Sequence, residues 1–300
     1  MGLQSLAGKR VLVTGGAGLI GRATVALLND HGALVTTLSI NEEPELSADR
    51  VLVGDTRLEP DVADALDGVE AVVHLAALPH PRAGTPYQVH STNVVSTFNV
   101  LAQAGALGIR RAVIASSINA FGIPMNSHDV APAYFPIDAT IPADLDDWYS
   151  LSKATDELTA GMAQRRWGID VVAFRFPHVN RHEVLTRMSE EHRRDPGRGM
   201  REAWSYLDVR DAARAILLGL TVELTGTHRL FLAADQTLAS YPTEALLDAY
   251  APGVPRLRRF IGREVPMDLG PVRTLLGFRA EHELDLPTLP LPAEAGPSVP

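Results

Sequence analysis

No cysteine occurs among the 300 residues, so the chain has neither a disulfide framework nor a thiolate zinc site. It also lacks a long basic run, and its formal net charge is −9, so nucleic acid is not an expected partner. The sequence has no apolar run of the roughly 18 residues that a membrane helix needs, and no apolar block of a signal peptide. We therefore expect a cytoplasmic protein with no membrane partner.

What the sequence does contain is short, valine-rich apolar runs that alternate with helical patterns. Such runs are typical of strands that a sheet buries on both faces. The alternation predicts an α/β fold built on a doubly wound (Rossmann) parallel sheet. The predicted strands lie at 10–15, 33–39, 51–55, 71–77, 111–117, 170–176 and 228–234, and the predicted helices at 19–30, 60–66, 90–107, 148–166 and from Asp208.

A glycine-rich turn joins the first predicted strand to the first predicted helix. The segment TGGAGLIG places Gly15, Gly18 and Gly21 at the spacing that lets the backbone turn tightly and approach a pyrophosphate. The N-terminus of the following helix supplies free N–H groups and the positive end of the helix dipole. This arrangement predicts a site for a dinucleotide cofactor, and the alternative is a tight turn that binds no ligand.

The ends of the second and third predicted strands leave the choice between NAD and NADP open. A carboxylate at the end of the second strand favours NAD and a basic residue favours NADP, but this chain has Ser39 there. Arg22 is placed to reach a phosphate, whereas Glu42 and Glu43 would repel one. Asp55 follows the third strand, where it is expected either to accept from the adenine amino group or to cap the next helix.

Three polar residues indicate chemistry beside that cofactor. Ser117 ends the fifth predicted strand, and ligands of a doubly wound sheet bind at the C-terminal ends of its strands. Tyr149 and Lys153 stand one turn apart at the start of the next predicted helix, so their side chains share one face. An ammonium favours the phenolate form of a neighbouring tyrosine, which can take the proton of a hydroxyl whose carbon loses a hydride. The alternative is a surface helix with a half-packed tyrosine and a solvated lysine.

These motifs resemble those of the short-chain dehydrogenase/reductase superfamily, and more narrowly its extended group, the NAD(P)-dependent epimerase/dehydratases. The resemblance implies a Rossmann fold, NAD or NADP as cofactor, and hydride transfer between the nicotinamide and a carbonyl or hydroxyl carbon. It extends over about residues 9–218, and the matching segments are TGGAGLIG (14–21), GDTR (54–57), HLAA (74–77), NVVSTFNVL (93–101), ASSINAFG (115–122), YSLSK (149–153), FRFPHV (174–179) and SYLDVRDAARAI (205–216).

The resemblance also implies roles for individual residues. Ser117 would be the catalytic hydroxyl, Tyr149 the acid or base and Lys153 its partner, with no metal required. The residues expected to contact the substrate are Ser117, Asn119, His178 and Arg181; Arg181 is included because a guanidinium suits an oxyanion and not because of the resemblance. The residues implied in cofactor binding are Gly15, Gly18, Leu19, Ile20, Gly21, Ser39, Asp55, Thr56, Leu75, Ala76, Ala77, Asn93, Ala115, Tyr149, Lys153, Phe176, Pro177 and His178.

Departures from the family pattern reduce the number of reactions that the chain is expected to catalyse. The family's dehydratases usually carry Asp-Glu after the active-site hydroxyl, whereas Ile118 and Asn119 stand there in this chain, which argues against that type of dehydratase. Many sugar-nucleotide epimerases have Asn at the position where this chain has Pro177 and His178, and its substrate region is short for a nucleotide-sugar enzyme. Three hypotheses remain: an oxidoreductase whose cofactor exchanges each turnover, an NAD-dependent sugar or sugar-nucleotide epimerase with tightly bound cofactor, and an inactive redox sensor that binds a dinucleotide.

The domain organisation follows from where the alternation stops. Residues 1–176 are expected to form the dinucleotide-binding domain, to which 203–235 return. Residues 177–202 and 236–300 are expected to form a small substrate-binding lobe, with disorder over about the last ten residues. The charged segment 181–201 is either a salt-bridged surface helix or a clamp for a substrate oxyanion. The resemblance further implies a homodimer, in which the helices near 93–106 and 148–166 pair across a two-fold axis.

Overall fold

The computed structural model describes residues 5–42, 45–128, 130–293 and 296. The strands, numbered along the chain, are β1 (Arg10–Thr14), β2 (Leu34–Ser39), β3 (Arg50–Val53), β4 (Ala71–His74), β5 (Arg111–Ser117), β6 (Asp170–Phe176), β7 (His178–Asn180), β8 (Tyr206–Asp208) and β9 (Thr227–Phe231). Seven of them form one parallel sheet in the order β3-β2-β1-β4-β5-β6-β9. The predicted doubly wound parallel sheet is therefore confirmed, and every predicted strand belongs to it.

Burial on both faces explains why the strand segments are continuously apolar. In β1, Val11 and Val13 belong to one hydrophobic cluster, and Leu12 between them belongs to the other. All three are fully buried, because helices cover both faces of an inner parallel strand. Strand β3 lies at the edge of the sheet, and Val51 and Val53 are exposed there.

The helices form a layer on each face of the sheet. They are α1 (Leu19–Asp30), α2 (Glu59–Ala65), α3 (Pro86–Ala106), α4 (Trp148–Trp167), α5 (His182–Arg194), α6 (Val209–Thr221), α7 (Thr243–Tyr250) and α8 (Gly270–Leu276). Helices α1 and α6 pack with the first cluster, and α2, α3 and α4 pack with the second. The parallel strands and these crossover helices bring the C-terminal ends of the strands to one edge of the sheet.

Capping residues set the starts of the long helices. Helix α3 begins earlier than its predicted start at 90, because Thr85 and Gln88 form a capping box. Asp147 caps α4, and its carboxylate accepts from the backbone N–H groups of the first turn. Asp208 accepts from the N–H of Arg210 and caps α6, so this helix begins next to its predicted start.

Beyond β6, the chain forms irregular structure around a second, small sheet. Strands β7 and β8 pair in parallel, and α5, a 3₁₀ segment at Pro196–Glu202, α7 and α8 surround the end of the main sheet. The sequence does not predict this small sheet or the last two helices, because segments of three to eight residues are too short to show a period. Of the two interpretations of 181–201, the structure shows a helix, α5, followed by the 3₁₀ segment.

A long connection after β5 crosses to this C-terminal part. Phe135 forms a parallel bridge with Arg256, and Ile137 forms another with Met267. Phe135 and Ile137 are fully buried in the first hydrophobic cluster. The chain between β5 and α4 therefore packs against residues more than a hundred positions later. Local sequence patterns do not predict such long-range contacts.

Two predictions fall wholly or partly outside the described residues. Glu43 lies outside them, and so do 294–295 and 297–300, which make up most of the segment predicted to be disordered. Across 5–42, 45–128, 130–293 and 296, no helix is both long and apolar enough to cross a membrane. The division of the chain into a dinucleotide domain and a substrate lobe stays a prediction.

Candidate active site

The glycine turn between β1 and α1 is too crowded for side chains at two of its three glycines. A Cβ on Gly21 would lie 2.2 Å from the carbonyl oxygen of Gly15. Gly15 has a φ of +68°, and a Cβ on it would lie 2.8 Å from the backbone nitrogen of Ala76. A Cβ on Gly18 would meet only the Gly15 oxygen, at 3.3 Å, so this glycine keeps the approach to the α1 N-terminus open. The turn fits a pyrophosphate, because the N–H groups of the first turn of α1 face that opening.

The end of β2 carries Ser39, as predicted, and its hydroxyl is used locally. Ser39 Oγ accepts from the N–H of Ala17 at 3.3 Å and so ties the strand end to the glycine turn. The guanidinium Nε of Arg22 donates to the carbonyl oxygen of Ala17 at 2.9 Å. Neither residue decides between a ribose hydroxyl and a ribose phosphate, so the choice between NAD and NADP stays open.

Asp55, after β3, is not the cap of the next helix. Helix α2 begins at Glu59 with Leu58 at the N-cap, so the capping interpretation of Asp55 is wrong. Its carboxylate instead pairs with Arg57, whose Nε lies 3.0 and 2.9 Å from the two oxygens. The hydrogen bond from Arg57 lowers the pKa of Asp55. The carboxylate of Asp61 accepts from the backbone N–H of Asp55 at 2.7 Å, and this hydrogen bond holds Asp55 at the sheet edge.

His74 ends β4 as a buried neutral side chain. Its Nδ1 lies 2.8 Å from Thr14 Oγ1 and its Nε2 lies 3.1 Å from Thr97 Oγ1. Burial lowers its pKa to about 3, and the positive charge of Lys153 adds to this effect. His74 is therefore a packing and positioning residue that links β1, β4 and α3.

Asn93 of α3 connects the loop after β4 to helix α4. Its Oδ1 accepts from the N–H of Leu78 at 2.8 Å, and its Nδ2 donates to the Leu78 carbonyl and to Ser152 Oγ. The side chain is completely buried, so these hydrogen bonds are made out of water. This amide holds the cavity wall beside α4 in place.

Ser117 ends β5 with a defined hydroxyl orientation. Its Oγ accepts from the backbone N–H and from the side-chain Nδ2 of Asn119, both at 3.1 Å. With two hydrogen bonds accepted, the hydroxyl hydrogen of Ser117 is directed away from Asn119 and is available to another acceptor. Asn119, predicted at the substrate, therefore acts on Ser117 directly.

Tyr149 and Lys153 are both buried, so the interpretation as an ordinary surface helix is wrong. Tyr149 lies in the first turn of α4 and is 6% exposed, and Lys153 is 4% exposed. Lys153 Nζ donates to the carbonyl oxygen of Ala115 at 2.9 Å and lies 6.0 Å from the centroid of the Tyr149 ring. It also donates to Asp156 Oδ2 at 3.2 Å, a partner that the sequence analysis did not identify.

A second buried network fixes the strands around these residues. Ser116 donates to Glu157 Oε1 at 2.6 Å, and Glu157 accepts from Arg175 at 2.8 and 2.9 Å. Since Ser116 belongs to β5, Glu157 to α4 and Arg175 to β6, one carboxylate ties β5 and α4, which carry the predicted catalytic residues, to β6. All three side chains are almost fully buried.

One cavity of about 620 Å³ collects most of the predicted site residues. It is lined by Gly15, Gly18, Leu19, Ile20, Gly21, Leu75, Ala77, Ala115, Ser117, Asn119, Tyr149, Lys153, Phe176, Pro177 and His178. Burial lowers the pKa of His178. The other predicted residues do not line it. Ser39, Asp55 and Thr56 lie at the ends of β2 and β3, Ala76 follows β4, Asn93 lies in α3, and Arg181 lines a different cavity.

Arg181 lies in a second cavity, between the N-termini of α5 and α6. Its neighbours there include His182, Glu183 and the ion pair of Asp208 with Arg210. A contact between Arg181 and the substrate stays a prediction. Among the described residues, Arg181 does not line the cavity that contains Tyr149 and Lys153. Conversely, the main cavity is lined by residues that sequence reasoning missed, namely Pro79, His80, Arg82, Met125 and Glu202.

The cavity suits a nicotinamide dinucleotide. The glycine turn leaves room for a pyrophosphate at one end, and Tyr149 and Lys153 stand on the wall at the other. A dinucleotide that spans the two would run along the C-terminal edge of the sheet, which is where this fold binds its ligands.

The comparisons with known proteins agree with this geometry. Residues 11–229 match the pattern of the NAD dependent epimerase/dehydratase family. The chain is 33% identical to L-arabinose 1-dehydrogenase (NAD(P)(+)) of Haloferax volcanii over 189 residues, which are 61% of this chain and 72% of that protein. It is 26% identical to UDP-glucose 4-epimerase of Corynebacterium glutamicum over 254 residues, which are 74% of each chain.

A solved structure shows a similar fold over nearly the whole chain. A short-chain dehydrogenase/reductase superfamily protein from Agrobacterium tumefaciens, with bound NAD, superimposes with a TM-score of 0.69 and 25% identity. The match covers 92% of this chain and 94% of that protein. The similarity therefore extends past the glycine turn and the main sheet into the C-terminal part.

Proposed function

The chain belongs to the NAD-dependent epimerase/dehydratase family, and from that premise we propose that it moves a hydride between the nicotinamide of NAD or NADP and a carbonyl or hydroxyl carbon of a small substrate. It is an NAD(P)-dependent enzyme of the dehydrogenase and epimerase class. The observation that carries the proposal is the placement of Ser117, Tyr149 and Lys153 on the wall of the cavity that the glycine turn opens.

Tyr149 is the residue that exchanges a proton with the substrate oxygen. Asp147 accepts from its backbone N–H at 2.8 Å, which sets the ring at the first turn of α4, on the cavity wall. The nearby ammonium of Lys153 stabilises negative charge on the phenol oxygen, because opposite charges attract strongly away from water. Tyr149 thus accepts a proton when a hydroxyl is oxidised and donates one when a carbonyl is reduced.

Ser117 holds the substrate oxygen. Its hydroxyl accepts twice from Asn119, so its own hydrogen is left to donate to that oxygen. Lys153, held by Ala115 and Asp156, would also donate to the ribose hydroxyls of the cofactor. When bound, the nicotinamide supplies or accepts the hydride.

The proposed cofactor site extends from the glycine turn to the chain after β6. The pyrophosphate would lie on the N-terminus of α1, and the residues proposed to surround the cofactor are Gly15, Gly18, Leu19, Ile20, Gly21, Ser39, Asp55, Thr56, Leu75, Ala76, Ala77, Asn93, Ala115, Phe176, Pro177 and His178. Eleven of these sixteen residues line one cavity, which supports this assignment, whereas Ser39, Asp55 and Thr56 are assigned to the adenosine end by their place on the sheet edge.

Net oxidoreduction is the main proposal, and epimerisation is the second candidate. An L-arabinose dehydrogenase relative supports the first, and a UDP-glucose epimerase relative supports the second. Both reactions use the same proton transfer at Tyr149. They differ in whether the oxidised substrate leaves and the cofactor exchanges after each turnover.

The test is a screen of absorbance change with NADH, NADPH, NAD and NADP against aldehydes, ketones, aldoses, uronic acids and nucleotide sugars. An oxidoreductase changes the absorbance in proportion to substrate, whereas an epimerase interconverts epimers with no net change. Tyr149→Phe should lower kcat by at least about a hundredfold while NADH binding, measured by calorimetry, stays within about twofold.

Tyr87→Phe is the matched control, because Tyr87 is 81% exposed and stands outside the cavity. It should behave as the wild type in both assays. Full activity in Tyr149→Phe would exclude the proposed acid/base role. A parent protein that binds NADH but turns over nothing in the screen would favour the sensor hypothesis.

We also propose that the enzyme is a homodimer in the cytoplasm. Helices α3 and α4 pack side by side, and their outer faces expose Val95 and Phe98 of α3 and Leu151 and Leu158 of α4. Four large apolar side chains on adjacent helices form a patch of the kind that a second copy covers. The proposed reaction depends on a nicotinamide cofactor, which supports a location where that cofactor is made and recycled.

A further inference from the structure

Glu202 brings a carboxyl group to the wall of the active-site cavity. It is the last residue of the 3₁₀ segment Pro196–Glu202, and it lines the same cavity as Ser117, Asn119 and Tyr149. Glu202 lies at the end of the predicted lobe segment 177–202, but no sequence motif indicates a role for it. Burial raises the pKa of Glu202, and the nearby Arg198 offsets part of that effect.

The carboxyl group of Glu202 has no hydrogen bond or ion pair in the part of the chain that the structure describes. Only its backbone oxygen is used, as an acceptor from the N–H and the hydroxyl of Ser205. Neighbouring carboxylates are paired, since Glu191 binds Arg198 at 2.9 Å and Asp208 binds Arg210 at 2.8 Å. Glu202 is partly buried and lies on the cavity wall, so its unpaired carboxyl group is available to hydrogen-bond a ligand in the cavity.

The backbone after Glu202 is held in an unfavourable conformation. Ala203 and Trp204 have φ values of +54° and +49°, and neither is a glycine. A side chain is strained in this left-handed region of the backbone, so the surrounding structure must hold both residues there. The conformation persists because Trp204 is fully buried, with its Nε1 donating to Pro196 at 2.6 Å and its N–H donating to Gly199 at 2.8 Å. These two residues turn the chain directly after Glu202, which lies on the cavity wall.

We propose that Glu202 binds the substrate, accepting hydrogen bonds from hydroxyl groups near the reacting carbon, and that the enzyme therefore selects neutral polyhydroxylated substrates such as free aldoses or polyols. A carboxylate accepts two parallel hydrogen bonds, which suits a pair of neighbouring hydroxyls. It repels a carboxylate or phosphate placed at the same position, because both charges would lie away from water. This inference rests on the proposed function, since it assumes that the reacting carbon lies at Ser117 and Tyr149.

The experiment compares wild type, Glu202→Gln and Glu202→Ala on neutral aldoses, their singly deoxygenated derivatives and the corresponding uronic acids. For the best neutral substrate, Glu202→Gln should raise KM at least about tenfold and change kcat by less than about threefold. For one deoxygenated derivative, Glu202→Gln should leave KM unchanged, because that derivative lacks the hydroxyl that Glu202 binds. Uronic acids should gain in kcat/KM when the negative charge is removed.

Glu190→Gln is the matched control, since Glu190 is exposed on α5 and the substitution makes the same change in charge. A KM that is the same in Glu202→Gln, Glu202→Ala and Glu190→Gln would overturn the inference. So would turnover of simple aldehydes together with no binding or turnover of any polyhydroxylated compound, an outcome that leaves the proposed function intact.

Calorimetry on the protein loaded with NADH provides a readout that does not depend on turnover. Binding of a neutral aldose that Glu202→Gln weakens at least about tenfold would support the role of Glu202 even if hydride transfer were never observed. Absence of aldose binding to the loaded wild type would overturn it.

Discussion

Lys153 is buried against one partner on β5 and one on its own helix, α4. Its ammonium lies between the carbonyl of Ala115 and the carboxyl of Asp156, which is itself almost fully buried. Burial raises the pKa of Asp156, and the charge of Lys153 opposes this effect. Three other charged or titratable groups are close: Glu157 follows on the same helix, His74 is bridged to the pair through Thr97, and Tyr149 stands one turn away.

The first prediction concerns this pair. Negative charge on Asp156 offsets the field that Lys153 exerts on the phenol, so Asp156→Asn should extend activity to lower pH. We expect the acidic limb of the kcat/KM profile to move down by about half a pH unit or more. Asp30→Asn, an exposed carboxylate at the end of α1, is the control and should leave the profile in place. A limb that does not move in Asp156→Asn would mean that Asp156 only supports Lys153 sterically.

At the scale of elements, the glycines in the turn from β1 to α1 have different roles. The fold has no room for a side chain at Gly15 or Gly21, whereas Gly18 leaves room for the ligand. A Cβ at position 21 would lie 2.2 Å from the Gly15 oxygen and 2.7 Å from the Gly16 Cα. A Cβ at position 18 would touch only one atom, at 3.3 Å, and the backbone there (φ −70°, ψ 171°) is open to alanine.

The second prediction follows from this difference. Gly18→Ala should keep the thermal stability of the wild type and weaken cofactor binding at least about tenfold, because its methyl group occupies the approach to the pyrophosphate. Gly21→Ala should instead lower the free energy of unfolding by about 1–3 kcal/mol. Thermal denaturation and NADH calorimetry measure the two effects. Normal NADH affinity in Gly18→Ala would show that the pyrophosphate does not approach this residue.

Helix α5 carries a histidine whose protonation opposes folding. Burial lowers the pKa of His192 to about 4, and Arg198 contributes to the shift. A histidine in the unfolded chain binds its proton below about pH 6.5. Between pH 6.5 and about 4 the unfolded state therefore holds a proton that the folded state lacks, and stability falls as the pH is lowered through this range.

The third prediction uses the slope of stability against pH. His192→Gln should remove up to about 1.4 kcal/mol per pH unit from the slope of the unfolding free energy between pH 6 and 4.5. Urea denaturation at several pH values measures it. His74, whose pKa burial lowers to about 3, should keep part of the slope in the variant. An unchanged slope would mean that His192 is protonated in the folded protein throughout this range.

At the scale of the whole molecule, the apolar patch on α3 and α4 predicts the assembly. Wild type should elute with a light-scattering mass of twice the 32.3 kDa chain. Phe98→Asp together with Leu158→Asp should give monomers, because charges would be buried in the proposed interface. Ile261→Asp, at a residue that is 83% exposed elsewhere, is the control and should remain dimeric. A wild-type monomer at micromolar concentration would contradict the proposal.

Local patterns in the sequence determined the main sheet, the glycine turn, the start of α6 at Asp208, and the positions of Ser117, Tyr149 and Lys153 along the edge. These features depend on neighbouring residues, because strand and helix periods and helix caps act over a few positions. The burial of Lys153 against Asp156, the pairing of Asp55 with Arg57 and the displacement of Arg181 from the cavity were decided by packing.

Only the tertiary structure could bring Glu202 to the site. It is far along the chain from Tyr149 and follows a segment in which charges of both signs give no periodic signal. Its position depends on the buried Trp204 and on the neighbouring Arg201, which donates to the backbone oxygen of Asn126 in the chain between β5 and α4. The sequence alone therefore determined how a proton and a hydride can move, whereas the folded structure decided which groups surround the substrate, because the substrate wall is assembled from segments distant in the chain.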